Sequence, residues 1–330
     1  MEYNKTISRK GDFHMKKYKK MIHAGLFTTA VLFATWGLNK LIFLQAGKKD
    51  MLYSKNKHQY SSRFGDIFYI KKGHGTPLLL IHDLKCTASA EEWSSVIDEL
   101  SKNHTVYALD LLGCGRSEKP RMTYTNYIYV QLINNFIKEV IGGRTDVITS
   151  GSSSDIAVMG CYSDSSLYHR IMMINPLSLK EAAKYPKANH KTMKYFIELP
   201  IIGTLIYNMS VSYSSILNSY KSKMLFTDKC LERDVDIMYE ASHLGGTSAK
   251  FFFASERSHF TNVNSVHALK KLDNSMVIIG GRDVKDIVDT QEGYVFYNPS
   301  IETELIDHCK CYPHIEQPDT FLSLCSIYLD

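Results

Sequence analysis

The chain has 330 residues, 44% hydrophobic and 22% charged, which supplies a full buried core and excludes a disordered or low-complexity polymer. Much of its formal charge of +5 sits in the first twenty residues, where Lys5, Arg9, Lys10, Lys16, Lys17, Lys19 and Lys20 stand against Glu2 and Asp12. The rest is near neutral, which excludes a basic nucleic-acid groove.

Residues 1–20 therefore read as a basic cytoplasmic tail, with Met15 a second candidate start. Residues 21–46 read as a transmembrane helix. The uncharged run from Met21 to Leu38 spans roughly 27 Å at about 1.5 Å per residue, close to a hydrocarbon core about 30 Å thick. Trp36 and Lys40 suit the far interface. A cleaved signal peptide and a buried helix are the alternatives. The first lacks a convincing small-x-small cleavage site, and the second leaves the preceding basic cluster without a place in a core. The basic flank predicts a single-pass protein of the cell membrane, N-terminus cytoplasmic, globular part outside, with membrane lipid as its partner through this helix.

Residues 47–62 read as a polar linker and 63–330 as the globular domain. Strands are expected at Phe68–Ile70, Leu78–Ile81, Thr105–Leu109, Asp146–Thr149, Arg170–Ile174, Met276–Ile279 and Glu302–Ile306. Helices fall between them near Glu91–Leu100, Asn126–Val140, Ser154–Cys161 and Asp319–Tyr328. This alternation predicts an α/β fold, a mostly parallel sheet with helices on both faces. It breaks at about 176–272, a stretch rich in Tyr, Ile, Leu and Met, which reads as a helical cap inserted after the sixth strand.

Seven cysteines from Cys86 to Cys325 form neither a disulfide framework nor paired zinc-finger spacing. The cluster His308-Cys309-Lys310-Cys311 with His314 has no second half elsewhere, so neither metal nor cofactor is expected.

Chemistry belongs at the carboxyl ends of the strands. Gly151-Ser152-Ser153-Ser154-Asp155 resembles the G-x-S-x-G nucleophile elbow of the α/β-hydrolase superfamily, and alternatively reads as a serine-rich helix cap. His82-Asp83 and Asp110-Leu111-Leu112-Gly113-Cys114-Gly115-Arg116-Ser117, with Pro120, are similar to the H-G and D-x-x-G-x-G-x-S turns of the same family. Gly280-Gly281-Arg282-Asp283 resembles its G-x-x-D turn, and Cys311-Tyr312-Pro313-His314-Ile315-Glu316-Gln317-Pro318 its closing H-x-P-H-x-E-x-P. The resemblance covers about residues 64–329 outside the cap and implies an eight-stranded-type α/β-hydrolase sheet.

It implies Ser153 as nucleophile, Asp283 as triad acid with Asp286 as alternative, and oxyanion-hole amides at Leu84 and Ser154. Three positions depart from the pattern. Asp83 and Asp155 replace glycines, and Cys311 holds the place of the base. A thiol with a pKa of about 8.5 is a poor general base, which leaves His314, one turn on, as the substitute. Two functions follow: a membrane-anchored serine hydrolase acting on an ester or other small apolar substrate beneath the cap, or an inactive relative that binds a ligand or partner in the same pocket. Cap aromatics Tyr195, Phe196, Tyr207 and Tyr213 suit an apolar pocket or plain packing.

Overall fold

A computed structural model of the chain describes residues 2–54, 57–224 and 231–329, with side chains from Lys19 onward, Leu231 excepted. The first element, α1 (Glu2–Ala46), is continuous. Its segment Lys19–Ala46 is long and apolar enough to cross a membrane, and that segment's most apolar stretch is unburied in the protein. From Asn39 onward one face of α1, with Asn39, Phe43 and Ala46, packs against the protein, while Leu41 and Leu44 stay exposed.

Eight strands form one sheet: β1 (His58–Ser62), β2 (Gly65–Lys72), β3 (Thr76–Ile81), β4 (His104–Leu109), β5 (Thr145–Ser150), β6 (Tyr168–Ile174), β7 (Ser275–Gly281) and β8 (Glu302–Ile306). Their order is β1-β2-β4-β3-β5-β6-β7-β8. Only the β1–β2 and β2–β4 pairs are antiparallel. β1 lies inside the stretch read as linker. With Tyr60 its only large apolar residue, His58–Ser62 carries almost no strand pattern, and it is recruited by hairpin pairing to β2.

Period-two burial divides the core between the sheet faces. Leu79, Ile81, Tyr107, Leu109, Ile171 and Met173 point to one side, while Leu78, Leu80, Val106, Ala108, Met172 and Ile174 point to the other. Each Leu, Ile, Val or Met among them contributes about 1.5–3 kcal/mol of burial. Helices α2 (Asn126–Phe136) and α3 (Ser153–Ser163) cover the first face. The expected helix over Glu91–Leu100 is instead a 3-10 turn, Ala90–Trp93, followed by a short helix, Ile97–Leu100.

Between β6 and β7 the described residues contain helices and no strand. The main cap helices are α4 (Ala188–Glu198), α5 (Ile201–Ser210), α6 (Tyr213–Lys223), α7 (Leu231–His243) and α8 (Ala249–Arg257). α9 (Ile287–Tyr297) and α10 (Pro318–Leu329) follow β7 and β8. α1 is tied to the cap by Asn39, whose Nδ2 donates to Ile201 O at 3.2 Å and whose Oδ1 accepts from Asn208 Nδ2 at 2.9 Å. Phe43 meets the His243 ring at 5.5 Å.

Candidate active site

The carboxyl ends of β3, β5, β6 and β7 converge under the cap. β5 turns into α3 through Gly151, which has φ +55°. That left-handed conformation suits glycine and marks the apex of the strand-to-helix turn. The space a side chain would enter there is occupied, since a Cβ on Gly151 would lie 2.5 Å from Asp83 Oδ1. The amide following the apex, Ser152 N–H, donates to that same oxygen at 3.0 Å, and Ser152 Oγ donates to it at 2.7 Å.

Asp83 Oδ2 pairs with Lys85 Nζ at 2.9 Å. Burial opposes ionisation of Asp83, but Lys85 and Lys223, with the bonds from Lys85 and Ser152, outweigh it and hold its carboxyl well below the usual range. A carboxylate thus sits against the amide that, in a nucleophile elbow, faces a developing oxyanion.

Ser153 is two residues past the apex, at the first position of α3. It is 1% exposed, and its Oγ donates to His82 O at 2.5 Å. Counting G-x-S-x-G along the chain picks Ser153, whereas the backbone places Gly151 at the apex and turns Ser153 into the sheet. Ser154 also points inward. Its N–H donates to Gly151 O at 3.2 Å and its Oγ accepts from Thr149 Oγ1 at 3.0 Å, so the amide expected to hold an oxyanion closes the turn instead. Leu84 is buried in a tight turn closed by Lys85 N–H on Asp83 O at 2.7 Å.

The two turns that resemble the family's are structural here. His82 Nε2 accepts from Leu111 N–H at 3.0 Å, which leaves Nδ1 to donate to Asp83 O at 2.8 Å. Asp110 accepts from Ala90 N–H at 2.6 Å and from Arg116 Nε at 2.7 Å. Burial opposes its ionisation too, and Arg116 prevails, lowering its pKa.

Asp283 faces solvent. Its backbone N–H donates to Cys309 O at 3.1 Å, and no hydrogen bond joins its carboxylate to Cys311, His314 or Ser153 among the described residues. The alternative acid, Asp286, is likewise exposed, at φ +61°. His314 is fully buried in the helical turn Pro313–Glu316, stacked on Trp93 at 4.6 Å and 5.8 Å from the Phe321 ring. Neither ring nitrogen makes a hydrogen bond, and Nε2 lies 3.5 Å from Glu92 Oε1. The proline that starts the turn sends the next side chain inward, into the core beside Trp93, rather than toward Ser153.

Cys311 stays at the site, half-buried. Its N–H donates to Lys223 O at 2.9 Å, joining the end of α6 to the loop after β8. Burial raises its thiol pKa, against the lowering effect of Lys223 and Lys85. Cys309 turns away into the core, and no group of three or more His, Cys, Asp or Glu residues suited to a metal gathers among the described residues.

Two sets of residues escaped the sequence reading. Asn175, at the end of β6 with φ +42°, accepts Gly281 N–H on Oδ1 at 3.0 Å. Its Nδ2 donates to Lys310 O and Cys311 O, each at 3.0 Å, so it clamps the β7 end to the Cys311 loop. An Asn-Pro pair after an apolar strand was the available signal. Lys85 and Lys223 meet only through the fold, and no local pattern foretells them.

No family model matches the chain. It is 22% identical over 295 residues to the 2-hydroxy-6-oxo-6-(2'-aminophenyl)hexa-2,4-dienoic acid hydrolase of Metapseudomonas resinovorans, a match spanning 83% of this chain and 92% of the relative. Among solved structures it is similar to a serine hydrolase involved in carbazole degradation, with TM-score 0.68, 18% identity and coverage of 83% and 98% of the two chains. A carboxylesterase of Bacillus subtilis gives TM-score 0.62 at 16% identity, over 88% of this chain and 98% of that one. These neighbours are α/β-hydrolase-fold enzymes, and the chain has the α/β-hydrolase fold.

Proposed function

We propose that this α/β-hydrolase-fold chain is a membrane-anchored, non-hydrolytic protein that binds a small molecule between its sheet and its cap. The observation that carries this reading is the Asp83 carboxylate, which fills the space above the Gly151 apex and accepts the Ser152 N–H at 3.0 Å. A hydrolase needs an open amide there for the oxyanion, and a fixed negative charge in its place opposes the transition state. The same turn lacks an exposed hydroxyl at its apex, and a thiol, Cys311, takes the place of the base. The exposed apolar run of α1 supports the anchor, with the basic flank cytoplasmic.

Serine hydrolysis through Ser153 is the second reading, favoured by the activities of the relatives. It requires Ser153 Oγ to leave the His82 carbonyl and find a base, and His314 is stacked beneath Trp93. Turnover of a p-nitrophenyl ester series separates the two. The non-hydrolytic reading expects the wild-type rate to equal that of Ser153→Ala, and a wild-type rate lost in Ser153→Ala establishes the hydrolase.

A further inference from the structure

Between the strand ends and the cap lies a cavity of about 570 Å³, within the size range of small-molecule sites. One part of its wall is apolar, formed by Val211, Ile216, Met238 and Phe253. The other carries Lys85, Lys223 and Arg257, with Glu256 the one carboxylate among its lining residues.

The cations are not equally satisfied. Lys85 is paired with Asp83 at 2.9 Å. Lys223 has no ion pair among the described residues, and its ammonium faces that of Lys85. That repulsion, and then burial, lowers its pKa. Burial raises the pKa of Glu256, against the lowering effect of Lys85 and Arg257. Asp83 counters both lysines in part but pairs directly with Lys85, so two ammonium groups held against each other leave an excess of positive charge that an incoming anion would offset. The hole above Gly151 already holds Asp83, so an incoming anion meets the lysines rather than the Ser152 amide.

We infer that the cavity takes a small organic anion, its carboxylate or phosphate-monoester head between Lys223 and Lys85 and its apolar body against Val211, Ile216 and Phe253. This deepens the ligand-binding reading of the same cavity and rests on it. Lys223 ends α6, and its carbonyl holds Cys311 N–H at 2.9 Å, so the head group would sit where the cap meets the loop after β8.

The test is calorimetric titration of the full chain in lipid nanodiscs, with empty nanodiscs as reference, using 4-phenylbutyrate, 4-phenylbutyl phosphate, 4-phenylbutanol and 4-phenylbutylamine. At least one anion should bind about ten-fold more tightly than the alcohol and the amine, and the two anions tell a carboxylate site from a phosphate site. Lys223→Gln should erase that preference and Lys223→Arg should keep it. The preference should also shrink between about 0.05 and 0.5 M salt, a readout that needs no variant. Equal binding of alcohol and anions, binding of neither anion below about 1 mM, or an unchanged preference in a folded Lys223→Gln overturns the inference. Turnover of 4-phenylbutyrate methyl ester with the anion preference intact would overturn the non-hydrolytic reading alone.

Discussion

Asp83 Oδ1 lies 3.0 Å from the Ser152 amide nitrogen, so an acidic side chain from the β3 turn occupies the hollow at the start of α3. The contact links two strand ends 69 residues apart. It also determines how the site is charged, because Lys85 is fixed by the same carboxylate.

Asp83→Asn keeps an acceptor for Ser152 and removes the counter-charge of the lysines. Because the folded-state pKa of Asp83 is depressed, its ionised form stabilises the fold above the unfolded carboxylate value near 4, and that contribution fades as pH falls through the folded value. Asp83→Asn should therefore cost about 1–3 kcal/mol at pH 7 and progressively less below about pH 4. Urea unfolding at neutral and acid pH measures the gap, and a gap independent of pH contradicts this account.

Asp155 behaves in the opposite sense. It is 2% exposed and accepts from Ser265 Oγ and, at 3.0 Å, from Tyr294 OH, while its Oδ2 has no partner. Burial raises its pKa to about 7, against these two bonds. A raised carboxyl favours the fold below about pH 4, and the advantage is lost as pH rises through about 7. Asp155→Asn should gain on wild type between these limits, by at most about 4 kcal/mol. Denaturation of both proteins at about pH 4.5 and 8 reads this, and an equal difference at the two values rejects it.

Asn175 combines a left-handed backbone with three clamp bonds. Asn175→Gly keeps the backbone and loses the bonds, whereas Asn175→Ala loses both. The expected costs are about 1–3 kcal/mol for glycine and about 1 kcal/mol more for alanine. Thermal melts check the order, and alanine melting above glycine contradicts it.

His314 offers a test of its structural role. Its ring stacks on Trp93 and forms no hydrogen bond, so His314→Phe should change stability by less than about 1.5 kcal/mol. A larger loss in urea unfolding would show that the pairing with Glu92 matters more than the packing.

The sheet was legible because its buried strands announce themselves as short apolar runs, Leu78–Ile81 most clearly, and because Asp110 to Ser117 is a distinctive turn. β1 was not, since His58–Ser62 owes its extended state to pairing rather than to its own side chains. The arrangement of the site was less legible. Motif spacing counts residues but not dihedral angles: the spacing picks Ser153, whereas the positive φ falls at Gly151. His314 looked available one turn past Cys311, yet Pro313 sends it inward beneath Trp93. The lysine pair needed the cap folded over the sheet before it existed at all.

Fluorophosphonate labelling of the full chain tests the central claim most directly, with Ser153→Ala and an Asp83→Gly, Gly151→Ser, Cys311→His combination in parallel. The account predicts no labelling of the wild type beyond that of Ser153→Ala, and labelling in the combination once hydroxyl, open amide and imidazole are restored. Wild-type labelling that disappears in Ser153→Ala would contradict it and establish Ser153 as an activated nucleophile.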